Sequence, residues 1–300
     1  MKPLVLLLAL LAGLAMTGCA PAAAQPKKIL LVTVTTGFRH SSIETAEKVL
    51  RELAVKSGEF VVVSTSEHPA YPKYGPGVTA DPMPGVRQVL ADMMSVAALQ
   101  TYDGIFFVSS TGELPLPDKA AFFTWVADGH AVMGAHAASD SLHETPEYAA
   151  MLGGEFAIHG LQTVGRMVNF DPAHPATAAW GKSRDVFDEL YMFKPNYDRA
   201  KVHSLLSMTE RPADGLAPTG APGWFPVSWS KLSGKGRIFY TSLGHREDVW
   251  DPAWKEPNGQ RRNPPEVAEA FQQHLLGGIR WALGLAEGEA TPQAVGAQGR

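Results

Sequence analysis

Up to about residue 155, the hydrophobic positions of this chain fall into short unbroken runs separated by stretches of helical spacing. Residues 28–35 (KILLVTVT) form an apolar, β-branched run with no polar alternation. That pattern predicts a strand covered on both faces. Residues 60–64, 104–109 (GIFFVS) and 131–135 repeat it. Between the first two runs, Ile43, Ala46, Val49, Leu50 and Leu53 recur at helical spacing behind Ser41 or Ser42 as the cap, with Glu44 or Thr45 in the first turn. Residues 86–99 and 118–127 read as two further helices. Buried strands alternating with helices predict an α/β fold with a parallel sheet covered on both faces. Beyond residue 155 the expected strands are 165–170, 201–208, 226–232 and 237–242, the last two joined by Gly234-Lys235-Gly236 as a hairpin turn, and 271–283 closes the fold as an amphipathic helix. Residues 68–85 hold five prolines and three glycines and predict a long irregular loop, of the kind that forms lids and binding loops.

The two ends read differently. Lys2 precedes an apolar run of 13 residues, 4–16, which is too short for a bilayer span of about 20 residues but fits the core of a signal peptide. Met16-Thr17-Gly18-Cys19 then resembles a bacterial lipobox, which would leave Cys19 as a lipidated N-terminus. An ordinary secretory signal cut after Ala22-Ala23-Ala24 is the alternative. Either reading makes the protein exported, and the first places it in the bacterial cell envelope as a lipoprotein. Residues 1–28 are therefore signal and tether, residues 29–284 one α/β domain, and residues 285–300 a disordered tail rich in Gly, Ala, Gln and Glu.

Composition narrows the function. The net charge is −4, with no basic cluster, so nucleic acid is not an expected partner and membrane contact is expected through the lipid anchor only. Cys19 is the single cysteine, so the chain has no intrachain disulfide framework and no thiolate zinc cluster.

In open parallel sheets, ligands bind at the carboxyl ends of the strands. Polar groups collect there in four segments: Gly37-Phe38-Arg39-His40, Ser109-Ser110-Thr111-Gly112-Glu113, His136-Ala137-Ala138-Ser139-Asp140 and Gly244-His245-Arg246. His40, His136 and His245 each stand just past a separate strand.

The phrases GFRHSSI, TYDGIFFVSSTGELPL, GAHAASDS, HPAT (174–177), DELY (188–191) and PVSWSKLSGKGRIFYTSLGHRED, in this order from about residue 28 to 284, resemble the trehalose-utilisation (ThuA-like) family. The resemblance implies a flavodoxin-like, class I glutamine amidotransferase-like three-layer sandwich, with a mostly parallel sheet and added C-terminal strands. It also implies a role in bacterial carbohydrate catabolism, in which some members act in pathways running through 3-keto-sugars. The chain departs from the family pattern at Trp224-Phe225-Pro226, where many members carry His-Pro, and the loop at 68–85 matches no family phrase.

Glutamine hydrolysis needs a thiolate at a strand-to-helix elbow. The elbow segment here, residues 133–137, has no cysteine, and Ser139 lies three residues past the turn. Two other chemistries fit a sugar substrate. In one, His40, His136 and His245, with Glu189 or Asp188, hold zinc, manganese or iron. In the other, Asp140 and Glu189 act as acid and base with His136 or His245 as partner. Asp188 and Glu189 are chain neighbours on opposite strand faces, so one of them is expected to orient or cap. Arg39 is a candidate for substrate binding, and Arg246 for holding a loop. Four of the seven tryptophans lie within residues 224–254. Trp229 reads as core, whereas Trp250 and Trp254, in a Pro- and Asp-containing loop, are candidate sugar-stacking residues with Tyr191, and at lower rank Tyr197, as cleft walls. The expected function is a sugar-processing enzyme. The alternative is a non-catalytic carbohydrate-binding lipoprotein of the envelope. The oligomeric state is left open.

Overall fold

The computed structural model describes residues 25–216 and 218–293. The expected signal and lipobox, with Cys19, lie outside the described residues. The first strand, β1 (Lys27–Val32), sits between β2 (Phe60–Ser64) and β3 (Gly104–Val108), and all three run parallel. Its side chains alternate between two buried layers, with Ile29 and Leu31 on one face and Leu30 and Val32 on the other, which is why the sequence shows no polar alternation. Next to β3 come β4 (Ala131–Ala135) and β11 (Gly236–Thr241), also parallel. The sheet then changes sense. The strands β10 (Pro222–Ser233), β9 (His203–Glu210), β6 (Thr163–Asn169) and β7 (Ser183–Asp188) follow antiparallel, giving nine strands in the order β2-β1-β3-β4-β11-β10-β9-β6-β7. The short strands β5 (Phe156–His159) and β8 (Tyr191–Phe193) pair separately.

One face is covered by α1 (Ser42–Ser57) and α7 (Pro265–Ala282), whose Val49, Leu50, Phe271, Leu275 and Ile279 are buried together. The other face is covered by α2 (Met83–Met93), α3 (Val96–Leu99), α4 (Lys119–Ala127) and α5 (Pro146–Leu152), through Val86, Leu90, Phe122, Trp125 and Tyr148. This is the three-layer, mostly parallel α/β architecture expected, consistent with a flavodoxin-like fold. A short helix, α6 (Glu247–Trp250), follows β11. Among the described residues no helix is long and apolar enough to cross a membrane.

Several boundaries differ from the sequence reading. The first strand stops at Val32 because the Thr33 amide turns to Thr65 Oγ1, at 2.9 Å. The helix expected over 86–99 is two helices, because the Ser95 side chain accepts from the Ala98 amide and starts a new turn. The closing helix begins six residues early, at Pro265, where a proline costs no hydrogen bond. Neither serine caps α1 with its side chain; Ser42 Oγ donates instead to the Gly244 carbonyl, at 2.9 Å, tying the helix to the loop after β11. The tail reading is corrected for residues 285–293. Glu289 and Thr291 carbonyls accept from Ser230 Oγ and His203 Nδ1, and the Gln293 side chain bonds both backbone groups of Ser204. Those contacts hold this stretch against β9 and β10, so low hydrophobicity did not mean disorder.

Candidate active site

The parallel strands end on one edge, and the candidate site is built there. Directly after β4 the chain enters a 3-10 turn, His136–Asp140, with His136 at φ 50°. A non-glycine residue in this left-handed region costs about 1–3 kcal/mol. The turn is held by Tyr240 and Tyr148, whose hydroxyls donate to the carbonyls of His136 (2.8 Å) and Ala138 (3.0 Å).

The turn points the His136 side chain into the protein, where it is fully buried. Nδ1 lies 3.0 Å from the Ser242 carbonyl, which can only accept, so Nδ1 carries the proton. Burial, reinforced by the charges of His40 and His245, holds this imidazole well below its ordinary pKa and therefore neutral. Its Nε2 lone pair thus faces the site. Tyr191 Oη donates to it at 2.9 Å, His245 Nδ1 is at 3.3 Å and Glu189 Oε1 at 3.6 Å. Burial raises the Tyr191 hydroxyl well above its usual range, so it stays protonated.

Around that nitrogen stand His40, from the loop after β1, Glu189, from the turn after β7, and His245, from the loop after β11. Each of the four residues offers one ligand atom, and these atoms all lie within 4.8 Å of one another. The His40 ring is edge-on to those of His136 and His245, at 4.7 and 5.3 Å between centroids. Its Nδ1 is buried with no hydrogen-bond partner among the described residues. Burial, with the His245 charge, brings His40 down to about 4 against the opposing pull of Glu189. His245 is shifted the other way: burial lowers it, but the hydrogen bond to Glu189 and the charges of Asp188 and Glu189 raise it overall.

Three neutral or neutralisable imidazoles and a carboxylate are a usual donor set for zinc, manganese or iron. Ligands at about 2.0–2.2 Å from a tetrahedral ion stand roughly 3.3–3.6 Å apart, so the widest pair of this group, within 4.8 Å, closes on one by a contraction of up to about 1.5 Å. His136 also has the outer hydrogen bond, Nδ1–H to a backbone carbonyl, that orients metal-binding histidines. The residues fit a single divalent ion once the Tyr191 hydroxyl turns away from the His136 Nε2 lone pair that it engages in this structure.

Asp188 and Glu189 divide their roles as expected, although only Asp188 lies in a strand. Glu189 faces the histidines, while the fully buried Asp188 accepts from the amides of Gly244 (2.7 Å) and Arg246 (3.2 Å), on either side of His245. Asp140 stands apart from the four-residue group. It pairs with His143 (2.9 Å), which also contacts Glu155 (2.6 Å), itself bonded to Lys194. Arg246 holds loops as expected, through Asp248, Glu256 and Gln162.

Two substrate-binding candidates need correction. Trp250 is fully buried, donates to the Gly244 carbonyl at 2.9 Å and packs on Phe271, so its ring is unavailable to a ligand. Tyr191 is likewise not an open wall, being 3% exposed with its hydroxyl committed to His136. Trp254 is half-buried, and its carbonyl accepts from Arg261 Nη1, at 2.5 Å. Tyr197 is engaged with Trp224 and Trp229, which is core as expected. His159 was missed by sequence reasoning. From the end of β5, its Nδ1 reaches Glu189 Oε2 at 3.2 Å. No motif marks it; only the pairing of β5 with β8 brings it there.

A flavodoxin-like sheet with a histidine–glutamate group at the carboxyl edge of its strands defines the class: an α/β protein with a candidate site where its parallel strands end. The family profile described as "ThuA: Trehalose utilisation" matches residues 28–257, and the chain belongs to this family, which gives it a carbohydrate-related role. Among solved structures, it resembles a ThuA-like protein from Parabacteroides merdae at 20% identity and TM-score 0.59, over 86% of this chain and 90% of that one. A ThuA-like protein from Bacteroides uniformis is similar at 18% identity and TM-score 0.59, over 88% and 94% of the two chains. At these identities the likeness speaks for the fold. Among curated proteins no significant match was found.

Proposed function

We propose that this protein is an exported, lipid-anchored enzyme that processes a glycoside or keto-sugar at a single divalent metal centre formed by His40, His136, Glu189 and His245. The observation that carries the reading is the convergence of four ligand atoms, from four separate segments, within 4.8 Å. Zinc, manganese or iron there would supply Lewis acidity towards a sugar oxygen. The chain's own groups do the rest. The Ser242 carbonyl fixes the His136 tautomer, Tyr191 holds a proton at Oη beside Nε2, and Asp188 positions the His245 loop. A metal-free acid–base mechanism draws support from the same contacts, since Tyr191 to His136 and His245 to Glu189 already link donors to acceptors.

The test is elemental analysis of purified protein, with turnover of 3-keto-glycosides and their parent disaccharides followed with and without chelator. We expect about one transition metal per chain, and activity lost to chelator and restored by metal. No bound metal together with chelator-resistant turnover would favour the acid–base mechanism, and no turnover of any sugar would refute the enzyme. For export, Cys19→Ala should abolish palmitate labelling and release the protein from membranes; unchanged labelling would refute the anchor.

A further inference from the structure

We propose that the open cleft between the first turn of α1 and the 68–82 loop is a pyranose-binding subsite, recognised through Arg39, Glu44 and Tyr74 and flanked by Phe38. The proposal rests on the reading of the adjoining histidine group as a sugar-processing centre and names where the sugar is held.

The cleft has a volume of about 470 Å³ and is walled by Arg39, His40, Glu44 and Tyr74, with Gly75 and Pro76 at its rim. That size is within the range of small-molecule sites. Its wall residue His40 is also a member of the histidine group, so a ligand seated here adjoins the candidate centre.

Arg39 is held in one orientation. Its Nη1 donates to the Thr33 carbonyl at 2.6 Å and to Tyr71 Oη at 3.0 Å, and its guanidinium lies 4.4 Å from the Tyr74 ring centroid. The tyrosines are themselves anchored on the segment just past β1: Tyr71 Oη also donates to the Thr33 carbonyl, and Tyr74 Oη donates to the Thr35 carbonyl, both at 3.0 Å. Among the described residues none of Arg39's partners is a carboxylate, and neither Nε nor Nη2 has a protein acceptor. A long cationic side chain has thus been ordered without an ion pair, leaving a planar fork of donors at the cleft. Such a fork matches oxygen atoms at fixed spacing, as on adjacent ring hydroxyls, and Glu44 supplies an acceptor in the same cleft.

Phe38 adds the apolar half of sugar recognition. It is 67% exposed, with its ring edge-on to His40 at 4.8 Å between centroids. The backbone that carries it is anchored, because the Phe38 carbonyl accepts from Thr111 Oγ1 at 2.8 Å and from Thr35 Oγ1 at 3.3 Å. A large exposed ring packed on His40, a wall residue of the cleft, offers a face for the C–H side of a pyranose.

Calorimetric titration of the full chain with trehalose and with methyl α-D-glucopyranoside tests this. We expect the wild type to bind at least one probe. Phe38→Ala should weaken binding about three- to tenfold, the usual worth of an aromatic contact, while Phe38→Tyr stays within about twofold. Arg39→Lys, which keeps the charge but loses the fork, should weaken it about tenfold. Because Phe38 is exposed, its variants should keep the wild-type melting temperature and metal content. No binding of either probe to the wild type, or unchanged affinity in Phe38→Ala, overturns the subsite. Intact metal and turnover alongside that result would leave the centre standing. Conversely, Phe38-dependent sugar binding in a protein without metal or turnover would sustain the subsite and refute the catalytic reading.

Discussion

Replacing Asp188 tests whether the centre depends on a residue that does not belong to it. Asp188 ends β7, is fully buried, and offers one carboxylate oxygen to the Gly244 amide at 2.7 Å and the other to the Arg246 amide at 3.2 Å. Burial pushes its pKa up to about 6, against the pull of His245 and the Gly244 amide. The loop it holds has little freedom. Gly244 sits at φ 122°, and a Cβ there would come within 2.9 Å of the Trp250 ring. Asp188→Ala strands the buried Gly244 amide, at about 1–3 kcal/mol, and the part-buried Arg246 amide at less, giving a loss of about 2–4 kcal/mol. Asp188→Asn keeps one acceptor and should cost about 1–3 kcal/mol. Because His245 lies between the two amides, metal affinity should fall about 10- to 100-fold, as for other outer partners of metal ligands. Urea denaturation and competitive metal titration on the same samples measure both effects. An alanine variant within about 1 kcal/mol of wild type, or an asparagine variant less stable than the alanine one, would refute the reasoning.

Glu189→Gln should lower metal content while leaving stability within about 1–2 kcal/mol, since it creates no cavity; full metal occupancy in this variant would remove Glu189 from the ligand set. His174 and His274 are each brought down to about 4, chiefly by burial. Their folded pKa lies below the unfolded one, so the unfolded chain takes up protons first, and stability falls as pH drops from about 6.5 towards 4, by up to about 3 kcal/mol for each histidine. Urea midpoints across this window, compared with those of His274→Gln, check it, and an equal slope in the variant would exclude His274 as a source. Trp250→Ala should cost about 3–5 kcal/mol as a core truncation; a loss under about 1 kcal/mol would mean that the residue is not core.

What the sequence determined by itself is what depends on neighbours along the chain. The parallel strands were legible because a strand buried on both faces must be apolar at every position, as in residues 29–32. The turn at Gly234 was legible because it needs positive φ, 61° here. Asp188 and Glu189, as chain neighbours, were expected to differ in role, and they do, although Glu189 lies just past the end of β7. Three histidines at strand ends indicated the site, because parallel strands must finish on one edge. The tertiary structure decided the rest, where the cause lies far away in the chain. The strands β5, β7 and β8 were missed, being short and partly exposed with a weak local pattern, and it is β5 pairing with β8 that carries His159 to Glu189. Trp250 reads as a loop residue until Phe271 and Gly244 close over it. Asp140 looks as eligible as Glu189, but His143, three residues on, engages it, while Glu189 reaches His245, 56 residues further along the chain. Residue types and spacing limit which groups can meet; packing of the crossing elements chooses which of them do, because burial and hydrogen-bond geometry are properties of the assembled core.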